Sequence, residues 1–284
     1  MKKYATRMVL VLILLLAIPI AVVYIWSSII INKTYSVPFS NLHIPTDTAS
    51  VYEGERLLDI EHCNSCHGKQ FSGRALDTTS QALIVAPNIS KIIPEYSNEE
   101  LERLIRHGIK KTGMSIFFMP SYMYYGLKDE SVVKIIAYLR TIKPVPAKTD
   151  LPSSTSYFFM GRLKIIQGKI MPMAARILET PPKLFTHHDT SQVSFGRYLV
   201  MTACSSCHGA DLKGRKEFAI PNLIISSAYN KEQFFHLLKT GEGGLGRKSL
   251  GLMSEMGKNQ LCHFNDQEMN AVYAFLQTLP LQKN

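Results

Sequence analysis

The fold class the sequence predicts is all-α: one membrane-crossing helix followed by two tandem helical domains. Three observations point there. Residues 8–31 contain no charged side chain. The five-residue pattern Cys63-Asn64-Ser65-Cys66-His67 returns as Cys204-Ser205-Ser206-Cys207-His208. The same succession of helix starts and stops follows each copy, which is the signature of an internal repeat.

The run from Met8 to Ile31, with Val9 to Leu16 as its most apolar part, is long enough to cross a bilayer as a helix. Lys2, Lys3 and Arg7 precede it and no basic cluster follows immediately, which puts the N-terminus in the cytoplasm. Tyr24 and Trp26 fall near the outer interface. A cleavable signal peptide is the other reading; its apolar region is normally shorter and ends in a small-x-small site. An uncleaved anchor over 1–31 is therefore expected. Residues 32–50, with Pro38 and Pro45 and no sustained periodicity, read as a tether.

The first domain is expected over 51–145. Helical pattern begins near Val51, offers Leu57, Leu58 and Ile60 to one face, and delivers the chain into Cys63. Pro87-Asn88-Ile89 reads as a loop. Ser97 and Glu100 form a capping-box pattern for a helix that runs to about His107 and stops at Gly108. A Met-, Phe- and Tyr-rich segment, Met114 to Met123, precedes Lys128-Asp129-Glu130. These open a closing helix through Val132, Ile135, Ile136 and Leu139, ahead of Pro144.

The second domain, 191–284, repeats this order. Phe195 to Val200 leads into Cys204, and Pro221-Asn222-Leu223 follows. A helix over about Glu232–Lys239 stops at Gly241, a Met-containing loop comes next, and Asn265 to Glu268 start a last helix ending before Pro280. Between the domains, residues 146–190 carry several prolines and the apolar stretches Tyr157–Met160 and Leu163–Met171, interleaved with Arg162, Lys164 and Lys169. The favoured reading is packing between the two domains. The alternative is a basic amphipathic segment on anionic headgroups.

Cys-x-x-Cys-His is the attachment signature of c-type haem. Two thiols one helical turn apart can each add to a vinyl group on one porphyrin edge, and the adjacent histidine becomes the proximal iron ligand. A lone Cys-x-x-Cys also suits a zinc site or a redox dithiol, but the fifth-place histidine and its recurrence favour haem. Two covalent haem c groups are therefore expected on Cys63, Cys66, Cys204 and Cys207, with His67 and His208 on iron. An export anchor agrees with this, because haem c is assembled outside the cytoplasmic membrane.

The formal charge of +10 suggests nucleic acid. However, three of those charges precede the apolar run, and the propionates of two haems offset roughly four more. No nucleic-acid partner is expected. Hydrophobic content of 46% and charged content of 19% exclude a disordered chain and a wholly embedded one.

Methionine is the usual sixth ligand of a low-spin electron carrier. The first domain offers Met114, Met119 and Met123, and the second Met253 and Met256. Cys262 stands outside both motifs, either as a small buried hydrophobe or as a thiolate of catalytic use.

Both motifs, the Pro-Asn turns, the Met segments and the closing helices resemble bacterial class I di-haem cytochromes c over about 50–145 and 190–282. The resemblance implies two class I cytochrome c domains. It also implies Met119 as a ligand, because Met-Pro precedes the final helix. In the second domain Gly251-Leu252-Met253 matches the family's ligand loop, favouring Met253, whereas counting back from Phe264 favours Met256. The chain is also similar to the cytochrome subunits of membrane-bound alcohol and sugar dehydrogenases, which usually carry three such domains. These likenesses imply a membrane-anchored, periplasmic carrier moving electrons between respiratory partner proteins. The alternative is a di-haem enzyme such as a thiosulfate dehydrogenase or peroxidase.

Overall fold

The computed structural model describes residues 2–146, 151–181, 191–244 and 246–282. Met1, residues 147–150 and 182–190 of the expected connection (Pro182 among them), Leu245 and 283–284 lie outside the described residues. The uncharged N-terminal run forms a single helix, α1 (Lys2–Ile31), with Pro19 inside it. Most of its side chains are exposed, as suits a helix whose solvent is lipid.

The first repeat opens with α2 (Thr48–Ile60), capped by Asp47, whose Oδ1 accepts from Ser50 N at 2.9 Å. It leads into α3 (Cys63–His67). Strands β1 (Arg74–Thr78) and β2 (Ala82–Ala86) follow, then the short helix α4 (Ile89–Ile92). In α5 (Asn98–His107), Ser97 and Glu100 complete the expected capping box and Gly108 ends the helix in the left-handed region. The turn α6 (Ser121–Tyr124) precedes α7 (Asp129–Leu139), where Val132, Ile135, Ile136 and Leu139 form one buried stripe.

After the first repeat come β3 (Ser156–Tyr157), α8 (Phe159–Ile166) and α9 (Met173–Glu179). The second repeat contains α10 (Gln192–Leu199), a π-helical turn over Val200–Cys204 and α11 (Ser205–His208). Next is α12 (Lys231–Thr240), capped by Asn230 and Gln233 and stopped at Gly241. Then come α13 (Leu252–Asn259), a 3₁₀ turn Leu261–His263 and α14 (Asp266–Leu276), again with a capping box.

Each repeat is held by its first and last helices, α2 across α7 and α10 across α14. Both crossings are made at a glycine. A Cβ on Gly54 would stand 1.9 Å from Lys134 O, and one on Gly196 would stand 1.8 Å from Ala271 O. The buried side chains of both repeats, from Leu58 to Leu139 and from Tyr198 to Leu276, form one continuous core.

Four features differ from the sequence reading. The chain is mostly helical rather than strictly all-α, because β1 and β2 form an antiparallel hairpin with a bulge between Ala75 and Asp77, and β3 pairs with β2 at Ala82 and Leu83. Residues 32–50 are not a loose tether but lie along the first repeat. Thr34 bridges to Met114, Tyr35 N donates to Gly113 O at 2.9 Å, and Phe39 sits under the Arg103 guanidinium.

The described part of the connecting segment packs on the first repeat and on α1, rather than between the two domains as expected. Ala174 N donates to Ser115 Oγ, Met173 N to Ile116 O, and Arg162 reaches α1. Finally, the second Met-containing segment is the helix α13, not a loop. Met253 and Met256 are therefore three apart on one helical face, and both pack against the core.

Candidate haem-binding site

The two Cys-x-x-Cys-His segments are entered differently, the first through left-handed His62 and the second through the π-helical turn, but they are left in the same way. Gly68 and Gly209 end the motif helices with N–H bonds to Asn64 O and Ser205 O. The chain then turns back so that Gly73 N donates to His67 O at 2.9 Å and Gly214 N to His208 O at 2.8 Å. At φ +80° and +79° these two positions favour glycine, and a Cβ at Gly214 would stand 2.3 Å from Ile220 O.

That close return matters for the histidines. It brings the Pro-Asn turn over each ring, so that His67 Nδ1 donates to Pro87 O at 3.0 Å and His208 Nδ1 donates to Pro221 O at 2.9 Å. With Nδ1–H committed to a carbonyl, the tautomer is set and Nε2 carries the free lone pair. Burial lowers the pKa of both rings, which keeps them neutral, as iron ligation requires.

The donor set suits haem c. All five cysteines are free thiols. Burial pushes the Cys63 and Cys66 thiols up and Cys204 up to about 12, so the site disfavours thiolates and is at ease with neutral thioethers. Among the described residues no group of three or more His, Cys, Asp or Glu side chains gathers as a metal site. Met119 lies just ahead of α6 and packs against the core with Met123, whereas Met114 sits at the bridge to Thr34. In the second repeat Met253 and Met256 both reach the core.

The two motifs meet at the seam between the repeats. His62, left-handed at φ +62°, places Nε2 2.7 Å from Ala203 O, directly ahead of the second motif. Gln260 Nε2 donates to Ser65 Oγ at 2.7 Å, inside the first motif. Cys207 lies close enough to Cys66 to add to the burial that raises the Cys66 pKa.

Beside them lies a group that sequence reasoning missed, the carboxyl of Glu61. It is fully buried, its Oε2 has no hydrogen-bond partner, and its pKa is raised to about 8 by desolvation, opposed only by Thr202. An acid at a helix C-terminus gives no sequence signal of burial. Gly54 and Gly196 were missed as crossing points, although their recurrence ahead of each motif was visible.

Cys262 donates its Sγ–H to Lys258 O, and burial pushes its pKa up, the opposite of what a reactive thiolate needs. His236 and His263 face Glu242 and Asp59, at 3.0 and 3.6 Å.

Comparison with known proteins agrees with this geometry. Residues 193–280 match the family model for cytochrome c, and residues 49–139 match that for the cbb3-type cytochrome c oxidase subunit III. The chain is 29% identical to the fructose dehydrogenase cytochrome subunit of Gluconobacter japonicus, with 81% of this chain and 53% of that protein aligned. It is 25% identical to the gluconate 2-dehydrogenase cytochrome c subunit of Pantoea cypripedii, over 81% of this chain and 60% of that one. It is 23% identical to the cytochrome c subunit of the quinone alcohol dehydrogenase of Gluconacetobacter polyoxogenes, over 82% and 57%. The chain thus spans little more than half the length of these curated relatives.

Proposed function

We propose that this chain, which carries cytochrome c domains and is homologous to cytochrome c subunits of fructose, gluconate and alcohol dehydrogenases, is a membrane-anchored electron carrier with two covalent haem c groups. In this reading one haem is held by Cys63, Cys66, His67 and Met119, and the other by Cys204, Cys207, His208 and Met253. The helix α1 anchors the chain in the cytoplasmic membrane with both domains on the periplasmic side. Electrons come from a donor dehydrogenase or quinol-oxidising complex and go to a terminal oxidase or reductase. The observation that carries the proposal is the pair of identically built motif loops, each with its histidine bonded to a proline carbonyl, meeting at one seam.

Bound haem supplies a one-electron iron couple. The chain's part is to hold the histidines as neutral donors, keep water from the seam and fix the two attachment sites close together. The names of the relatives favour a permanent dehydrogenase subunit over a free shuttle. Co-purification of a dehydrogenase after gentle detergent extraction would establish that form.

The test is the pyridine haemochrome spectrum with stoichiometry per chain. Two c-type haems are expected, along with the long-wavelength absorption of iron–methionine ligation. Met119→Ala and Met253→Ala should each remove about half of that absorption. One haem per chain, or full absorption in both variants, would overturn the assignment.

A further inference from the structure

The helix α8 packs along α1 at a height that a bilayer occupies. Most of α1 is exposed, but Val23 is only 8% exposed and Ser27 is fully buried, and α8 is the element laid against it. Arg162 of α8 donates from its terminal nitrogen to Ser27 Oγ at 2.9 Å and Ser28 Oγ at 3.0 Å. Its guanidinium lies 4.7 Å from the centre of the Tyr24 ring, and its Nε donates to Tyr157 O.

A hydrocarbon core about 30 Å thick takes about 20 helical residues. Centred on the uncharged run 8–31, it ends near Ile29. At about 1.5 Å per residue, Ser27 then lies about 3 Å and Val23 about 9 Å beneath that boundary. A helix packed on those two residues cannot stand clear of the membrane.

The surface of α8 suits that place. Phe158, Phe159 and Met160 are consecutive and exposed, at 43%, 38% and 45%. Three such side chains in a row on a water-facing surface are an anomaly for a soluble domain. Arg162 has its Nε and one terminal nitrogen engaged by serine hydroxyls and backbone carbonyls and its face covered by a ring, so its charge is supported where water is scarce. Lys164 and Lys169 can carry their charges up to lipid phosphates on long stems.

We propose that α8 is an interfacial helix whose Phe158, Phe159 and Met160 enter the bilayer leaflet facing the two domains and seat the first domain on the membrane in one orientation. This rests on reading α1 as a membrane span. It replaces a freely swinging domain with one whose attachment site stands at a set height above the lipid. β3, just before α8, pairs with the hairpin, and Phe158 N donates to Gln81 O at 2.9 Å, so the seat is joined rigidly to the domain.

The full-length holoprotein, reconstituted in vesicles of phosphatidylethanolamine and phosphatidylglycerol, provides the test. In a Cys262→Ser background, single cysteines are placed at exposed Met160, at exposed Ser227 in the second domain and at Leu16 within α1. The haem-bearing cysteines are thioethers and do not react. Labelling by a membrane-impermeant maleimide should be at least tenfold slower at 160 than at 227, and as slow as at 16. A phospholipid with a diazirine in its acyl chain should cross-link to the peptide containing 158–160 and not to that containing Ser227. Protection at 16 with labelling at 160 as fast as at 227 overturns this proposal alone. Fast labelling at both 16 and 160 overturns the anchor reading and this proposal with it. Slow labelling at 160 without lipid cross-links assigns the patch to a protein contact and also overturns the proposal.

Discussion

Glu61 carries a carboxyl into a place where ionisation is costly. It sits between Cys63 and Cys204, with Tyr124 donating to its backbone carbonyl at 2.7 Å and Thr202 beside its side chain. Tyr198 also feels the Glu61 charge; it is itself raised to about 12 and stays neutral. Because the folded pKa of Glu61, about 8, lies above its ordinary value of 4.5, the folded state binds more protons between those values. Stability therefore falls as pH rises from about 4.5 to about 8 and levels off above it. Denaturant titrations of the holoprotein at pH 5 and pH 9 should differ by an amount on the order of a few kcal/mol. Glu61→Gln should flatten that difference, and an unchanged pH profile in the variant sinks the assignment. Nothing in Glu-His-Cys as text announces this residue. Its burial comes from the second repeat closing over the first, a contact between positions more than a hundred residues apart.

At the scale of the elements, the helix crossings rest on missing side chains. In Gly196→Val the new side chain meets the backbone of α14 at Ala271 and the Phe275 Cβ, neither of which can rotate away. Forcing α10 and α14 apart should cost on the order of 3 kcal/mol. A fall in melting temperature of more than 5 °C is the readout, and an unchanged melt would show that the helices do not cross there.

The helices themselves were legible because their signals are local: Ser97 with Glu100, Asn265 with Glu268, Gly108 and Gly241 as stops, and the Val132–Leu139 stripe. The repeat of the two motif segments was legible for the same reason, since one five-residue spacing recurs along the chain. The hairpin was not, because β1, with Arg74, Asp77 and Thr78, lacks alternation and is mostly exposed. The placement of α8 was not either. Its burial against α1 depends on Arg162 finding Tyr24, Ser27 and Ser28 across the length of the first domain.

Across the whole molecule, two repeats with one core behave as a unit only if the seam between them is strong, and Arg56 is where that strength concentrates. From α2 it donates to both carboxyl oxygens of Glu268 on α14, at 2.7 and 2.9 Å, and to His263 O at 2.9 Å. Glu53, on its own helix, takes the remaining donors at 2.8 and 2.7 Å. A forked, partly buried pair of this kind adds orientation as well as energy. It joins the first helix of one repeat to the last helix of the other, so any rotation between them strains both ends of the fork.

Glu268 also accepts from Asn265 N in the capping box of α14, so a variant that deletes it would mix two effects. Glu268→Gln keeps an acceptor for the cap while removing the charge, and Arg56→Met keeps much of the stem. A double-mutant cycle on these two should give a coupling of about 2 kcal/mol in chemical denaturation. In the double variant the single unfolding transition of the holoprotein should separate into two, one per repeat. Coupling near zero would mean that the shared core alone holds the seam. The two Cys-x-x-Cys-His segments would then be fixed relative to each other by apolar packing around Leu58 and Leu199, not by this ion pair.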